Sequence, residues 1–458
     1  MKALIIVAGV TGNLALKKLI PAYYRLLKNH DLKIIGIGRR GLSKNKILSD
    51  SKDYITNFDK SLFAKLKNNF FYHKTDFYDD EGFKRLNALI SEHARNYHQV
   101  IFHFATLPKH FVMLSKQIKK CGILKGFKQK KLVFEKPFGY DYKSAKQIDR
   151  TLKRIFKEEE IFRIDHYLGK ELIENITVFR FTNTFLEPVW NNRYVDHVQI
   201  ILSEDFGIEG RANFYEHFGA LKDVVQNHML QMLTLTTMEK PKSIVDVDCL
   251  KKEKLKILKN IKTTRDVVIG QYKGYRKEVK NKSSMTETFV ALKLFIQNKR
   301  WKGVPFYFIT GKKMKDKLTS IFVQFKQLDC DAVKKICDYG ANYANIQIYP
   351  NGGFYMKMNA KQPNSSKIIP TKLSFCHSCI YGINTPEAYE NLYNDMFNNK
   401  KTMFVSKEEI EEAWKIVERI NIKKLNLEQY KPGTYPKSAL TMIKKDNREW
   451  HLEVENVL

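Results

Sequence analysis

The sequence predicts two units: an α/β unit built on a parallel sheet, followed by an α+β unit with a large, mainly antiparallel sheet. Three observations predict this. Up to residue 175, short apolar runs of strand length alternate with amphipathic, helix-like stretches. That alternation requires helical crossovers and hence a parallel sheet. Across 176–458 the apolar runs lengthen and alternate with polar residues, the pattern of strands with one wet face. A glycine-rich loop joins the first apolar run to the first helical pattern.

In order, Ala3 to Ala8 is a strand, and a helical pattern runs from Asn13 to Lys28. Further strands are expected at Leu32 to Gly38, Phe70 to Thr75, Gln99 to Ala105 and Lys131 to Phe134. In the second unit the strand candidates are Ile176 to Thr182, Asp196 to Ser203, Phe289 to Gln297, Asn345 to Tyr349 and Phe354 to Asn359. Helices are expected at Gly219 to Met238 and Lys407 to Ile420. No internal repeat or low-complexity linker interrupts the pattern.

With 458 residues, 43% of them hydrophobic, the chain can bury two or three cores. No apolar run approaches the roughly 18 residues of a membrane span. Lys2 and the apolar residues after it imitate a short export signal, but they lead directly into Gly9 and read better as strand plus loop. A cytoplasmic protein is expected. The net charge is +31, from 80 Lys and Arg against 49 Asp and Glu. Such a field attracts polyanions. The lysines are spread along the whole chain rather than gathered into a stripe or tail, so a solvated surface is expected and nucleic acid is not. The six cysteines form no disulfide framework. Cys376-His-Ser-Cys379 has half-zinc-site spacing, but Cys330 and Cys337 are too far apart in sequence to make a second such pair. Free buried thiols, a reducing compartment and no metal are expected.

Gly9-Val-Thr-Gly12-Asn13-Leu14-Ala15 follows the first strand and opens the first helix. Gly9 permits a tight turn, Gly12 lets the backbone approach a pyrophosphate, and Ala15 permits close packing of helix on sheet. In this context the loop is expected to form a Rossmann-type dinucleotide site, the alternative being an ordinary strand-to-helix turn. The second strand ends in Gly38-Arg39-Arg40, without the acid that would bind the ribose hydroxyl of NAD. A guanidinium there grips a 2′-phosphate, so the expected cofactor is NADP.

The octet Arg163-Ile-Asp-His-Tyr-Leu-Gly-Lys170 sets a carboxylate, an imidazole, a phenol and an ammonium close together. Read as a helix start, it puts His166 and Lys170 on one face, able to reach the same phosphate, with Tyr167 as a third donor. Asp165 is left for other work. In the helix from Gly219 to Met238, His228 lies on an apolar stripe with Leu221, Val224, Val225, Met232 and Leu235. A buried imidazole bonded to Asp165 would have the fixed tautomer that a general base needs.

As a set, these residues resemble the glucose-6-phosphate dehydrogenase family along nearly the whole chain. The octet looks like that family's signature without substitution. Glu135-Lys-Pro-Phe-Gly139, Glu209-Gly-Arg211 and Lys222-Asp-Val-Val-Gln-Asn-His228 are similar to its other landmarks. So are Met238-Glu-Lys-Pro241, Ile269-Gly-Gln-Tyr272, the stretch Asn298 to Pro305, Pro386-Glu-Ala-Tyr389 and Ala413-Trp414. The resemblance implies NADP-linked oxidation of glucose 6-phosphate at C1 to the 1,5-lactone, the first step of the oxidative pentose phosphate pathway. It implies His228 as base, Asp165 as its orienting acid, and His166, Tyr167 and Lys170 on the 6-phosphate. Lys136 would lie between sugar and nicotinamide, Glu209 and Asp223 would accept from sugar hydroxyls, and Lys312 and Lys317 would line the far side. Gly9, Gly12, Asn13, Leu14, Arg39 and Asp76 would serve the dinucleotide. A homodimer or homotetramer is also implied.

The chain departs from the family pattern at Asn13, where an Asp is usual, at Leu107 in place of a proline, at Tyr349 in place of Gln, and at Lys222 in place of Arg. Two alternatives stay open: a sugar oxidoreductase of the glucose–fructose oxidoreductase type, in which the lysine itself is catalytic, and a polyanion-binding protein.

Overall fold

The computed structural model describes residues 1–327, 340–365, 367–382 and 386–456. Two compact units form: Met1–Lys170 with Pro386–Glu411, and Glu171–Thr385 with Glu412–Leu458.

The first unit holds a six-stranded parallel sheet: β1 (Lys2–Ala8), β2 (Asp31–Gly38), β3 (Phe70–Lys74), β4 (Gln99–Phe104), β5 (Gln129–Phe134) and β6 (Ile161–Arg163), in the order β3-β2-β1-β4-β5-β6. The order reverses after β1, so right-handed crossovers lie on opposite faces before and after it. Ile5 is in register with Ile34 on one side and Ile101 on the other. β1 is buried on both faces from Ala3 to Ala8, which is why it reads as a continuous apolar run. The five strands expected from the sequence are present. The sixth, only three residues long, is too short to show a period.

The octet corrects one expectation. Arg163 ends β6, and two consecutive turns follow, closed by Leu168 N–H on Asp165 O and Lys170 N–H on Tyr167 O, each at 3.0 Å. The helix begins only at Glu171. The turns, and not helical spacing, therefore set where His166 and Lys170 stand, each beside Tyr167.

The second unit holds a nine-stranded sheet. Its strands are β7 (Val195–Ser203), β8 (Ile261–Tyr272), β9 (Phe289–Ile296), β10 (Pro305–Gly311), β11 (Leu318–Phe325), β12 (Tyr343–Tyr349), β13 (Gly353–Lys361), β14 (Ile368–Cys376) and β15 (Leu427–Tyr430). Their order is β14-β13-β12-β11-β7-β10-β9-β8-β15. β7 with β10 and β8 with β15 run parallel; the other neighbours are antiparallel. Ile201, Tyr272, Phe289, Tyr307, Ile309 and Ile443 belong to one buried cluster on it.

Ile176 to Thr182, expected as a strand, is the second half of the helix Glu171–Thr182. Leu172, Ile173, Ile176, Thr177, Arg180 and Phe181 are buried at helical spacing, and the local β-branched residues imitate alternation. The helix expected over 219–238 is also more complex. It is interrupted at Gly219, where φ is 62°, and resumes as a π-helical stretch, Leu221–Met229, before the α-helix Leu230–Thr237.

The thiol expectation is corrected as well. Cys376 and Cys379 form a disulfide, while Cys121 and Cys249 are free and half-buried. A three-residue separation on the turn from β14 into the helix His377–Tyr381 lets the sulfurs meet. Cys330 and Cys337 lie outside the described residues.

Candidate functional site

The dinucleotide loop is built at the C-terminal end of β1. Gly9 adopts φ +89°, and a Cβ there would lie 2.4 Å from Ala105 O, so both conformation and space require glycine. Gly9 and Val10 donate their N–H groups to Ile37 O at 2.9 and 3.3 Å, and Gly12 N–H closes the turn on Gly9 O at 2.9 Å. Asn13 is exposed, Leu14 half-buried and Ala15 fully buried. The loop therefore offers a cradle and a helix start to a pyrophosphate.

Arg39, at the end of β2, is 72% exposed, and its Nε lies 3.9 Å from Asp76 Oδ2. Arg40 is held differently, donating from Nη1 to Thr11 O at 3.1 Å, while the Tyr72 hydroxyl donates to Arg40 O at 2.6 Å. Arg39 is thus the arginine left extended into solvent beside the loop. None of Gly38, Arg39 and Arg40 at the end of β2 is an acid, the nearby Asp76 carboxylate faces Arg39, and the residues present fit a dinucleotide with a 2′-phosphate.

Lys136 follows β5 and is half-buried, joined to Pro137 by a cis peptide bond. Glu135 before it is 5% exposed. Its Oε1 receives His103 Nε2 at 2.8 Å and the Tyr389 hydroxyl at 3.0 Å. His103 Nδ1 meets the Tyr393 hydroxyl at 2.6 Å, and Tyr393 meets Tyr23 at 2.6 Å. Sequence reading gave this buried chain no role. The motif containing Glu135 was visible, but its partners lie up to 370 residues away from one another.

In the octet, Arg163 is structural. It is 3% exposed and pairs with Asp149 at 2.7 Å and Glu158 at 2.6 Å. Asp165 is 2% exposed, with Oδ1 accepting Tyr167 N–H at 3.0 Å. His166, Tyr167 and Lys170 are half-buried and adjacent. Lys170 Nζ sits 3.6 Å from the Tyr167 ring centroid, and the His166 and Tyr167 rings are 5.1 Å apart. The chain has collected three anion donors around one turn, with the acid tucked beneath.

The remaining candidates lie in the second unit. His228 is 2% exposed and Asp223 is 4% exposed, both on the π-helical stretch. In an α-helix, side chains five apart point about 140° from one another. A hydrogen-bond period widened to i→i+5 narrows that to roughly 50° and turns Asp223 towards the face of His228. Glu287, missed from the sequence, secures the start of that stretch. Its Oε1 accepts Leu221 N–H at 3.0 Å and its backbone oxygen accepts Ala220 N–H at 3.0 Å. Burial pushes the Glu287 carboxyl up to about 7, against the lowering effect of its backbone hydrogen bonds and Lys222.

Glu209 is exposed on a turn with φ 44°. Lys312 is 2% exposed and ion-paired with Glu204, flanked by the Phe206 and Tyr215 rings. Lys317 Nζ lies 4.0 Å from the centroid of the Tyr349 ring, so the unusual Tyr349 has a cationic partner.

The family model of the glucose-6-phosphate dehydrogenase NAD binding domain matches residues 6–175, and that of the glucose-6-phosphate dehydrogenase C-terminal domain matches 177–451. The glucose-6-phosphate 1-dehydrogenase of Bacillus subtilis is 36% identical, over 98% of each chain. That of Chlamydia muridarum is 35% identical, over 97% of this chain and 96% of its own. A solved structure of a glucose-6-phosphate dehydrogenase in complex with its substrate glucose-6-phosphate matches with a TM-score of 0.89 at 31% identity, covering 98% of both chains. With both domain models matched and each relative aligned nearly end to end, the chain belongs to the glucose-6-phosphate dehydrogenase family.

Proposed function

We propose that this protein oxidises glucose 6-phosphate at C1 to 6-phosphoglucono-1,5-lactone, with NADP as acceptor, as the entry step of the oxidative pentose phosphate pathway. The observation that carries the residue assignment is the fold of the octet, which buries Asp165 while gathering His166, Tyr167 and Lys170 around one turn. An ammonium, an imidazole and a phenol at one spot suit a phosphate, and fixing the substrate there provides orientation at C1.

His228 takes the proton of the C1 hydroxyl. Asp165 accepts from the other ring nitrogen, which fixes the tautomer and stabilises the imidazolium. The dinucleotide, when bound, accepts the hydride from C1. Lys136 positions the sugar against the nicotinamide, Asp223 and Glu209 accept from sugar hydroxyls, and Lys312 and Lys317 line the far side. Gly9, Gly12, Asn13 and Leu14 hold the pyrophosphate, Arg39 the 2′-phosphate, and Asp76 stands on the adenine side. Asn13 carries no charge to repel the pyrophosphate.

The test follows near-ultraviolet absorbance of the reduced nicotinamide with glucose 6-phosphate and either NADP or NAD. Reduction of NADP dependent on the sugar phosphate is expected, and no reduction of either dinucleotide refutes the assignment. His228→Asn abolishing the rate while Lys136→Ala retains part of it separates this chemistry from one in which the lysine is the base.

A homo-oligomer, dimeric or tetrameric, is proposed on the family resemblance and on the apolar side chains exposed at and beyond β14: Leu373, Ile380 and Tyr381. Light scattering giving a monomer mass would reject it. A cytoplasmic location is supported by the similar Arabidopsis thaliana protein named cytoplasmic, 35% identical over 96% of this chain. Among the described residues no helix is long and apolar enough to cross a membrane.

A further inference from the structure

We infer that Tyr389 and Glu135 are positioning residues that set where the phosphate-binding turn stands, an inference that rests on His166 contacting the 6-phosphate. The octet turn docks on the helix Ala388–Phe397 at three points. The His166 ring stacks on Tyr389, with centroids 6.4 Å apart and planes 7° apart. Gly169 O accepts Asn391 Nδ2 at 3.1 Å. A Cβ on Gly169 would lie 2.5 Å from Ala388 O, so the backbones are already as close as glycine allows.

That helix is itself fixed to the ends of β4 and β5 through hydrogen bonds. The Tyr23 and Tyr393 hydroxyls pair, Tyr393 meets His103 Nδ1, and His103 Nε2 meets Glu135 Oε1, which also accepts the Tyr389 hydroxyl. Tyr23, His103, Glu135, Tyr389 and Tyr393 are all at most 5% exposed, so a missing partner is not replaced by water at the surface. Burial and the Glu135 charge hold the Tyr389 hydroxyl well above its ordinary pKa, keeping it a donor. Glu135 also precedes Lys136, so one carboxylate fixes both the lysine's segment and, through Tyr389, the face on which His166 rests.

Tyr389→Phe keeps the ring and removes only the hydroxyl. The expected result in the intact enzyme is a rise in KM for glucose 6-phosphate of roughly fivefold or more, with kcat and the KM for NADP within about twofold. Turnover of unphosphorylated glucose, supplied at high concentration, stays unchanged, because the grip it lacks is the one displaced. Tyr393→Phe makes the same deletion on the same helix without touching His166, and is expected to lower the melting temperature but leave the ratio of the two substrates' kcat/KM as in the parent. Glu135→Gln provides a second variant should Tyr389→Phe not fold, with the same direction of change. If Tyr389→Phe or Glu135→Gln lowers kcat/KM for both sugars equally, while His166→Ala discriminates between them, the positioning role is wrong and the phosphate assignment stands. If His166→Ala leaves the ratio unchanged, the phosphate assignment fails and the inference falls with it.

Discussion

An imidazole and a carboxylate buried to 2% exposure, as His228 and Asp165 are, cost solvation that an apolar core would not, which is the expected mark of groups retained for chemistry. His228→Asn preserves size and removes the proposed base. Its kcat should fall by roughly 10² to 10⁴ with KM for glucose 6-phosphate little changed, as measured by steady-state kinetics. Arg39 is different: its guanidinium is 72% exposed, and its proposed partner is a 2′-phosphate. Arg39→Ala should raise KM for NADP by about tenfold and leave KM for NAD within about twofold, the low end for a charge-assisted bond because the group is exposed. Arg39 was proposed from a local motif, the end of the second strand, whereas His228, a lone imidazole on an apolar stripe, was read as a base only because Asp165 offered it a partner and the family resemblance implied it. Glu135, His103 and Tyr389 were given no role. Their role depends on hydrogen bonds across 32 and 254 residues of chain, which no local pattern records.

At the scale of elements, β1 to β5 and β7, β9, β12 and β13 were legible because burial on one or both faces writes a period into the sequence. β8, β10, β11, β14 and β15 were not read as strands, and the helical Ile176 to Thr182 was read as one because its β-branched residues imitate alternation. Three further misses share a cause, backbone geometry that leaves no period: β6 is too short, the octet is turns, and π-helical winding over Leu221–Met229 has the same composition as an α-helix. That last stretch depends on Gly219 and Glu287. A Cβ on Gly219 would lie 2.3 Å from the Glu287 carboxyl, so Gly219→Ala should destabilise the second unit and reduce activity together. Glu287 carries a pH dependence whose sign can be worked out. Its folded pKa of about 7 lies above the ordinary 4.5, so the folded state holds the proton more tightly than the unfolded one. The stability it contributes is complete below pH 4.5 and is lost as pH rises through 7, a loss on the order of 3 kcal/mol. Glu287→Gln can still accept from Leu221 N–H and has no proton to lose. Its melting temperature relative to the parent should therefore rise between pH 5 and pH 8, and a difference independent of pH would show that Glu287 is not protonated in the fold.

For the whole molecule, the sequence left the +31 charge unassigned, and the proposed ligands suggest a use for it. Both proposed ligands are polyanions: the sugar carries a phosphate dianion, and the dinucleotide carries a pyrophosphate and a 2′-phosphate. A protein with a net charge of +31 attracts such ligands, and the attraction reaches only about a Debye length, near 8 Å at physiological salt. The grips proposed at Arg39 and at Lys170 would act within contact distance and be screened less. Salt should therefore act on encounter more than on the bound state. Raising ionic strength from roughly 0.01 to 0.15 M shortens the Debye length about threefold to fourfold. Over that range kcat/KM for glucose 6-phosphate should fall severalfold while kcat is unchanged. Unphosphorylated glucose, which carries no charge to steer, controls for salt effects on the fold, and its kcat/KM should stay flat. A parallel fall for both sugars would place the salt effect in the protein's stability and leave the surface charge without a role in substrate capture.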